Sequence, residues 1–119
     1  MPSPAVIDLE AIKNLRALNP GDRDEFLREI MGIFLADTPR RIIELEQSLA
    51  AGDTSRFSRA AHSIKGSSAS LGAAALRAVA EQLERHSHQD GLGGVAPLLA
   101  SLRAEFFRAE TELRNLVSL

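Results

Sequence analysis

The last quarter of the chain carries its tightest structural constraint. Val95, Leu99, Leu102, Phe106, Ala109, Leu113 and Leu116 recur at steps of four and three. Only an α-helix puts such a series on one face, and a stripe this long must be buried against other helices. The rest of the chain repeats the theme. Asp8 reads as the N-cap of a short helix from about Leu9 to Ala17, ended by Asn19-Pro20-Gly21. A second helix is expected from near Asp22, burying Phe26, Ile30, Ile33 and Phe34. Thr38-Pro39 reads as a cap followed by a first-turn proline, predicting a restart or kink. Ile42, Leu45 and Leu49 then run to Gly52, and Asp53 or Thr54 caps a helix ending at Leu71-Gly72. Leu76, Val79, Ala80 and Leu83 form the buried stripe of a further helix that fades between His86 and Gly94. Tyr and Trp are absent, and Ala, Leu, Glu and Arg dominate, so helix is favoured over strand. The expected fold is all-α: an antiparallel four-helix bundle with a short N-terminal helical extension, spanning residues 8–117 of one 119-residue domain, with residues 1–7 flexible.

Composition excludes several functions. Fourteen basic and sixteen acidic residues leave a net charge of −2, giving no global attraction to nucleic acid or anionic membrane. No cysteine is present, so disulfides, thiolate zinc sites and cysteine nucleophiles are ruled out, which suits a cytoplasmic location. The apolar run Ile30 to Ala36 is far shorter than the roughly 18 residues of a membrane span. There is no Gly-rich nucleotide loop, so ATP-dependent kinase activity is not expected. His86 and His88 are expected in a polar turn before Gly91, sharing no helix face, and no metal site is expected from three histidines.

The chemistry concentrates in Ala61-His62-Ser63-Ile64-Lys65-Gly66-Ser67-Ser68-Ala69-Ser70-Leu71-Gly72. Phe57, Ala61, Ile64, Ser68 and Leu71 form the stripe a core would bury, whereas Ser58, Arg59, His62, Lys65, Gly66 and Ala69 fall on the polar face. Arg56 and Arg77 flank the same region. An unperturbed imidazole is nucleophilic near neutral pH, with a pKa of about 6.5. Lys65, one turn on, can balance the charge of an arriving phosphoryl group. Gly66 costs about 1 kcal/mol against alanine in a helix, so its presence here calls for a reason; leaving room for a partner supplies one. Phosphoryl transfer is mostly positioning and charge neutralisation, so a carrier needs few catalytic parts.

The run from His62 to Gly72 resembles the histidine phosphotransfer (HPt) domain family, with its His-x-x-Lys-Gly signature followed by small residues and a later glycine. The resemblance implies a four-helix bundle carrying phosphate on one histidine between the aspartates of two receiver domains. It implies His62 as phosphoryl acceptor, Lys65 as its charge partner and Gly66 as the point of partner access. It implies Glu84, on the next helix, as the group that hydrogen-bonds the other ring nitrogen and fixes the tautomer. The partner-binding face is expected around Arg59, Ser63, Ser67, Ala69 and Arg77, with an apolar centre. Response-regulator receivers, including that of a hybrid kinase, are the implied partners of a monomeric carrier, and Mg²⁺ would come with the receiver. Two other readings are the phosphorylatable N-terminal domain of a chemotaxis-type kinase, which shares His-x-x-Lys-Gly, and a helical adaptor without chemistry.

Overall fold

A computed structural model describes residues 3–117 as five helices. They are α1 (Leu9–Leu18), α2 (Glu25–Ala51), α3 (Thr54–Ser70), α4 (Ala74–Asp90) and α5 (Ala96–Val117). Helices α2 to α5 form the bundle, and α1 packs across the start of α2. Cross-helix contacts fix the directions. Arg28 reaches the Val117 carbonyl while Arg103 pairs with Glu46, so α2 and α5 are antiparallel. Arg56 bonds Gln47, whereas Ser67, Ser70 and Leu71 lie beside Ile30 and Phe34, so α2 and α3 are antiparallel. Ser58 bonds Ser87 and His62 bonds Glu84, which sets α4 antiparallel to α3.

The caps follow from the sequence. The Asp8 carboxylate accepts from the Glu10 N–H, and the Asp53 carboxylate accepts from the Arg56 N–H. Gly52, at φ +68°, closes α2 by donating to the Leu49 carbonyl. The core joins Ile12, Leu27, Met31, Leu45, Phe57, Ile64, Leu76, Leu83, Leu102 and Leu113, all nearly inaccessible to solvent. The stripe expected on α5 is buried from Val95 to Leu113, with Phe106 and Leu116 packed at its edge.

The second helix departs from expectation in three ways. It begins at Glu25 rather than near Asp22, because the Asp22 carboxylate accepts from the N–H groups of Asp24 and Phe26 in a turn where Arg23 and Asp24 are left-handed. It runs unbroken through Pro39, with Thr38 buried inside it rather than capping a restart. Its buried stripe is Leu27, Met31, Phe34, Thr38, Ile42 and Leu45. Ile33 is therefore 63% exposed and Phe26 and Ile30 are only half-buried. A restart at Thr38 would decouple the two halves; the continuous helix carries the phase of the Ile42 half back to Leu27.

The segment expected to be flexible is anchored from Ala5 onward. Ile7 is buried, the Ala5 carbonyl accepts from the Ala75 N–H, and the Asp8 N–H donates to the Gly72 carbonyl. Burying Ile7 rewards this order with apolar area removed from water. Met1 and Pro2, also expected to be flexible, lie outside the described residues. No helix among the described residues is long and apolar enough to cross a membrane.

Candidate functional site

Helix α3 buries Phe57, Ala61, Ile64 and Ser68, and this face fixes the rotation of the helix about its axis. His62 is thereby turned outward, its side chain 65% exposed. Across the groove between α3 and α4, Glu84 carries the opposing group. Its Oε2 lies 2.8 Å from His62 Nδ1 and its Oε1 lies 2.7 Å from Lys65 Nζ. The carboxylate side chain is only 17% exposed. Burial pushes the Glu84 carboxyl up, but the hydrogen bonds from Lys65 and His62, together with their charges, outweigh it and hold it below the ordinary carboxylate range.

An ionised carboxylate can only accept. Nδ1 of His62 therefore carries a hydrogen and donates it to Glu84, and a neutral ring must keep its lone pair on Nε2. Glu84 selects the tautomer and leaves the lone pair on the outer nitrogen.

The register that brings Glu84 opposite His62 is pinned one turn away. Ser58 and Ser87, both buried, share a short hydrogen bond, and the Ser87 hydroxyl also donates to the Glu84 carbonyl. Ser58 thus leaves the polar face on which it was expected and joins the α3–α4 interface, because α4 covers it. Gly66 is exposed, and a Cβ built there would meet nothing within 4 Å. Gly72 is the opposite case. It has φ +70°, and an added Cβ would lie 2.6 Å from the Ala11 Cβ and 3.1 Å from the Asp8 carbonyl oxygen. It lets α1 close over the end of α3.

The expected partner face is only partly assembled around His62. Arg59 is exposed and Ser63 half-buried, and both border the cavity on which His62 opens. Ser67 is half-buried, its hydroxyl donating to the Ile64 carbonyl, and Ala69 is exposed. Arg77 lies seven residues from Glu84, about two turns along α4, and pairs with Glu81 at 3.7 Å. It stands at the Gly72 end rather than beside the ring. Ile33, expected to be buried, is instead an exposed apolar residue of α2. With Ile30, Phe34, Ser67, Ser70 and Leu71 it borders a shallow groove of about 170 Å³ between α2 and α3.

His86 and His88 are not in a turn, because α4 continues to Asp90. His86 Nε2 donates to the Gly93 carbonyl and ties down the α4–α5 connection. His88 faces the His62 cavity from α4. Its spacing of four from Glu84 was the available signal, but it needed the full length of α4 to be known.

Comparison with known proteins bears directly on this arrangement. The Hpt domain family matches residues 29–118, which spans α2 to α5 and contains the whole His62–Lys65–Glu84 cluster. This chain belongs to the Hpt domain family. The Hpt domain is 30% identical over 108 residues to histidine-containing phosphotransfer protein 1 of rice, covering 89% of this chain and 71% of the rice protein. It is 29% identical over 93 residues to multistep phosphorelay regulator 1 of fission yeast, covering 78% of this chain but only 32% of that protein, about a third of its length. Among solved structures, the Hpt domain superposes on histidine-containing phosphotransfer protein B of Pseudomonas aeruginosa PAO1 with a TM-score of 0.86 at 24% identity, covering 98% and 97% of the two chains. A histidine-containing phosphotransfer protein of maize gives 0.82 at 24% identity, covering 95% and 83%. These two likenesses establish the helical bundle as the shared fold.

Proposed function

We propose that this Hpt domain is a phosphorelay intermediate: His62 accepts a phosphoryl group from a receiver-domain aspartate and passes it to another. One observation carries the reading. Glu84 holds Nδ1 of an exposed histidine, so the Nε2 lone pair is directed away from Glu84 and is available as a nucleophile. In the forward step the Nε2 lone pair forms the N–P bond as the acyl phosphate P–O bond breaks, and the aspartate leaves as a carboxylate. The ring then carries a positive charge while keeping its Nδ1 hydrogen, and the Glu84 carboxylate 2.8 Å away stabilises that charge. Transfer onward reverses these changes.

Lys65 enters this scheme through Glu84. It neutralises the carboxylate and steadies it opposite the ring. The charge-balancing role expected of it requires it to leave that carboxylate. The exposed Gly66 and Ala69, with Ile33 across the groove from Ser67 and Ser70, are the surface offered to the receiver, which supplies Mg²⁺ and most of the catalysis. A monomer in the cytoplasm, presenting one free face to alternating receivers, fits this role.

The test is incubation of the purified chain, and of His62→Gln, with a panel of phosphorylated receiver domains. The expected label is lost in acid, stable in base, confined to the wild type, and absent with ATP alone. Label only from a chemotaxis-type kinase with ATP would assign the domain to that class instead. No label from either donor would leave a helical adaptor.

A further inference from the structure

Lys65, three residues after His62, is already engaged. Its Nζ lies 2.7 Å from Glu84 Oε1, and Glu84 is largely enclosed, so withdrawing Lys65 would strand a carboxylate with little water to replace it. Lys65 also borders a different cavity from His62, one it shares with Glu81, Arg85 and Gln89. Helical side chains lean toward the N-terminus of their helix, so the His62 ring lies over the turn that precedes it. The structure shows that lean. His62 opens on a cavity of about 500 Å³ whose α3 lining is mostly N-terminal to it, Thr54, Ser55, Ser58 and Arg59 with Ser63 beside the ring, and with Glu84 and His88 facing from α4.

Arg59 is three residues before His62, on the same face, with about 5–6 Å between Cβ atoms. It is exposed, and among the described residues it makes no ion pair. A guanidinium offers five donors in a planar fork that matches phosphate oxygens, and it stays charged throughout.

We infer that Arg59 is the anion site for the phosphoryl group on His62 Nε2, and that Lys65 acts only through Glu84. This deepens the phosphocarrier reading and rests on it for its biological meaning. The geometry can be tested without any receiver. Phosphoramidate transfers its phosphoryl group directly: the His62 Nε2–P bond forms, the donor's P–N bond breaks and ammonia leaves.

The experiment is a ³¹P NMR pH titration of the phosphoramidate-labelled chain, with His62→Gln identifying the His62 resonance and circular dichroism confirming the fold. A guanidinium at hydrogen-bond range favours the dianion, so Arg59→Gln is expected to raise the phosphoryl titration midpoint by about one pH unit. Arg59→Lys is expected to restore most of it, and Lys65→Gln to shift it less. Transfer from a phosphorylated receiver is expected to slow about tenfold in Arg59→Gln. A midpoint unchanged in Arg59→Gln overturns the assignment, whether or not Lys65→Gln moves it. So does failure of His62 to take label from phosphoramidate and from every receiver. Label from phosphoramidate with no exchange to any receiver would sink the phosphocarrier reading, while the titration would still decide Arg59.

Discussion

The Glu84 carboxylate stands 2.8 Å from Nδ1 of His62 although 22 residues separate the two in the chain. That distance depends on the register of α3 against α4, not on any local motif. A side chain at position 84 can therefore be changed to ask what orientation alone contributes. Glu84→Ala removes the acceptor and frees the ring to adopt the other tautomer. Hydrogen bonds to charged groups are worth about 1.5–3 kcal/mol, so transfer to His62 is expected to slow roughly ten- to a hundredfold. Glu84→Gln keeps an acceptor for Nδ1 but loses the charge, and an intermediate rate is expected. Rapid-quench transfer from a phosphorylated receiver measures both; equal rates for Ala and wild type would remove Glu84 from the mechanism.

The pH dependence of stability follows from the same carboxylate. Lys65 and His62 hold the folded-state Glu84 below its unfolded value despite burial. A depressed carboxyl contributes stability that is fully present above the unfolded value, about 4.3, and is lost as pH falls through the folded one. Denaturant titrations at a series of pH values are expected to show a wild-type advantage over Glu84→Gln that is constant above about pH 5 and shrinks in acid. An advantage that grew on acidification would contradict the assigned sign.

Most of the bundle and half of the site could be read from the sequence, and the division has a physical cause. His62, Lys65 and Gly66 lie within one helix, and local periodicity places them on the outer face. The caps at Asp8, Gly52 and Asp53 are equally local. Glu84 was reached only through family resemblance, because pairing between helices has no signature within a single segment. The Ser58–Ser87 pair that sets the register was invisible for the same reason. Proline at position 39 predicts a break and so puts Ile33 on a buried face, whereas the helix tolerates the proline on its exposed side and leaves Ile33 in solvent. His88 has no local signature as a site residue, because α4 runs one turn further than its composition suggests.

Helix α2 tolerates Pro39 at a cost that can be measured. Proline in a helix interior removes an N–H donor to the carbonyl four residues back and is worth about 3 kcal/mol against alanine. Pro39→Ala is expected to stabilise the domain by about 1–3 kcal/mol in urea denaturation, the lower end applying if the helix has bent to relieve the clash. Its neighbour Thr38 is buried with its hydroxyl unpartnered. Thr38→Val removes that group at nearly the same shape and is expected to add about 1 kcal/mol. A loss of stability in Thr38→Val would mean that the hydroxyl has a partner in solution.

Gly66 and Gly72 bracket the motif and separate function from fold. Gly72 is left-handed, and a Cβ there would collide with Ala11 on α1. Gly72→Ala is expected to cost about 1–3 kcal/mol from backbone strain, with the clash against α1 added to it. Loss of protection at the Asp8 and Ala75 amides, which bond Gly72 and Ala5, would report the detachment in hydrogen exchange. Gly66 is helical with open space around it, so Gly66→Ala is expected to stabilise by up to about 1 kcal/mol. A longer side chain there meets nothing in this chain but projects from the surface beside His62. Gly66→Arg should therefore keep the wild-type melting behaviour and its labelling by phosphoramidate, yet lose most transfer from a receiver. Equal loss from both donors would mean that the glycine serves the ring itself and not the partner's approach.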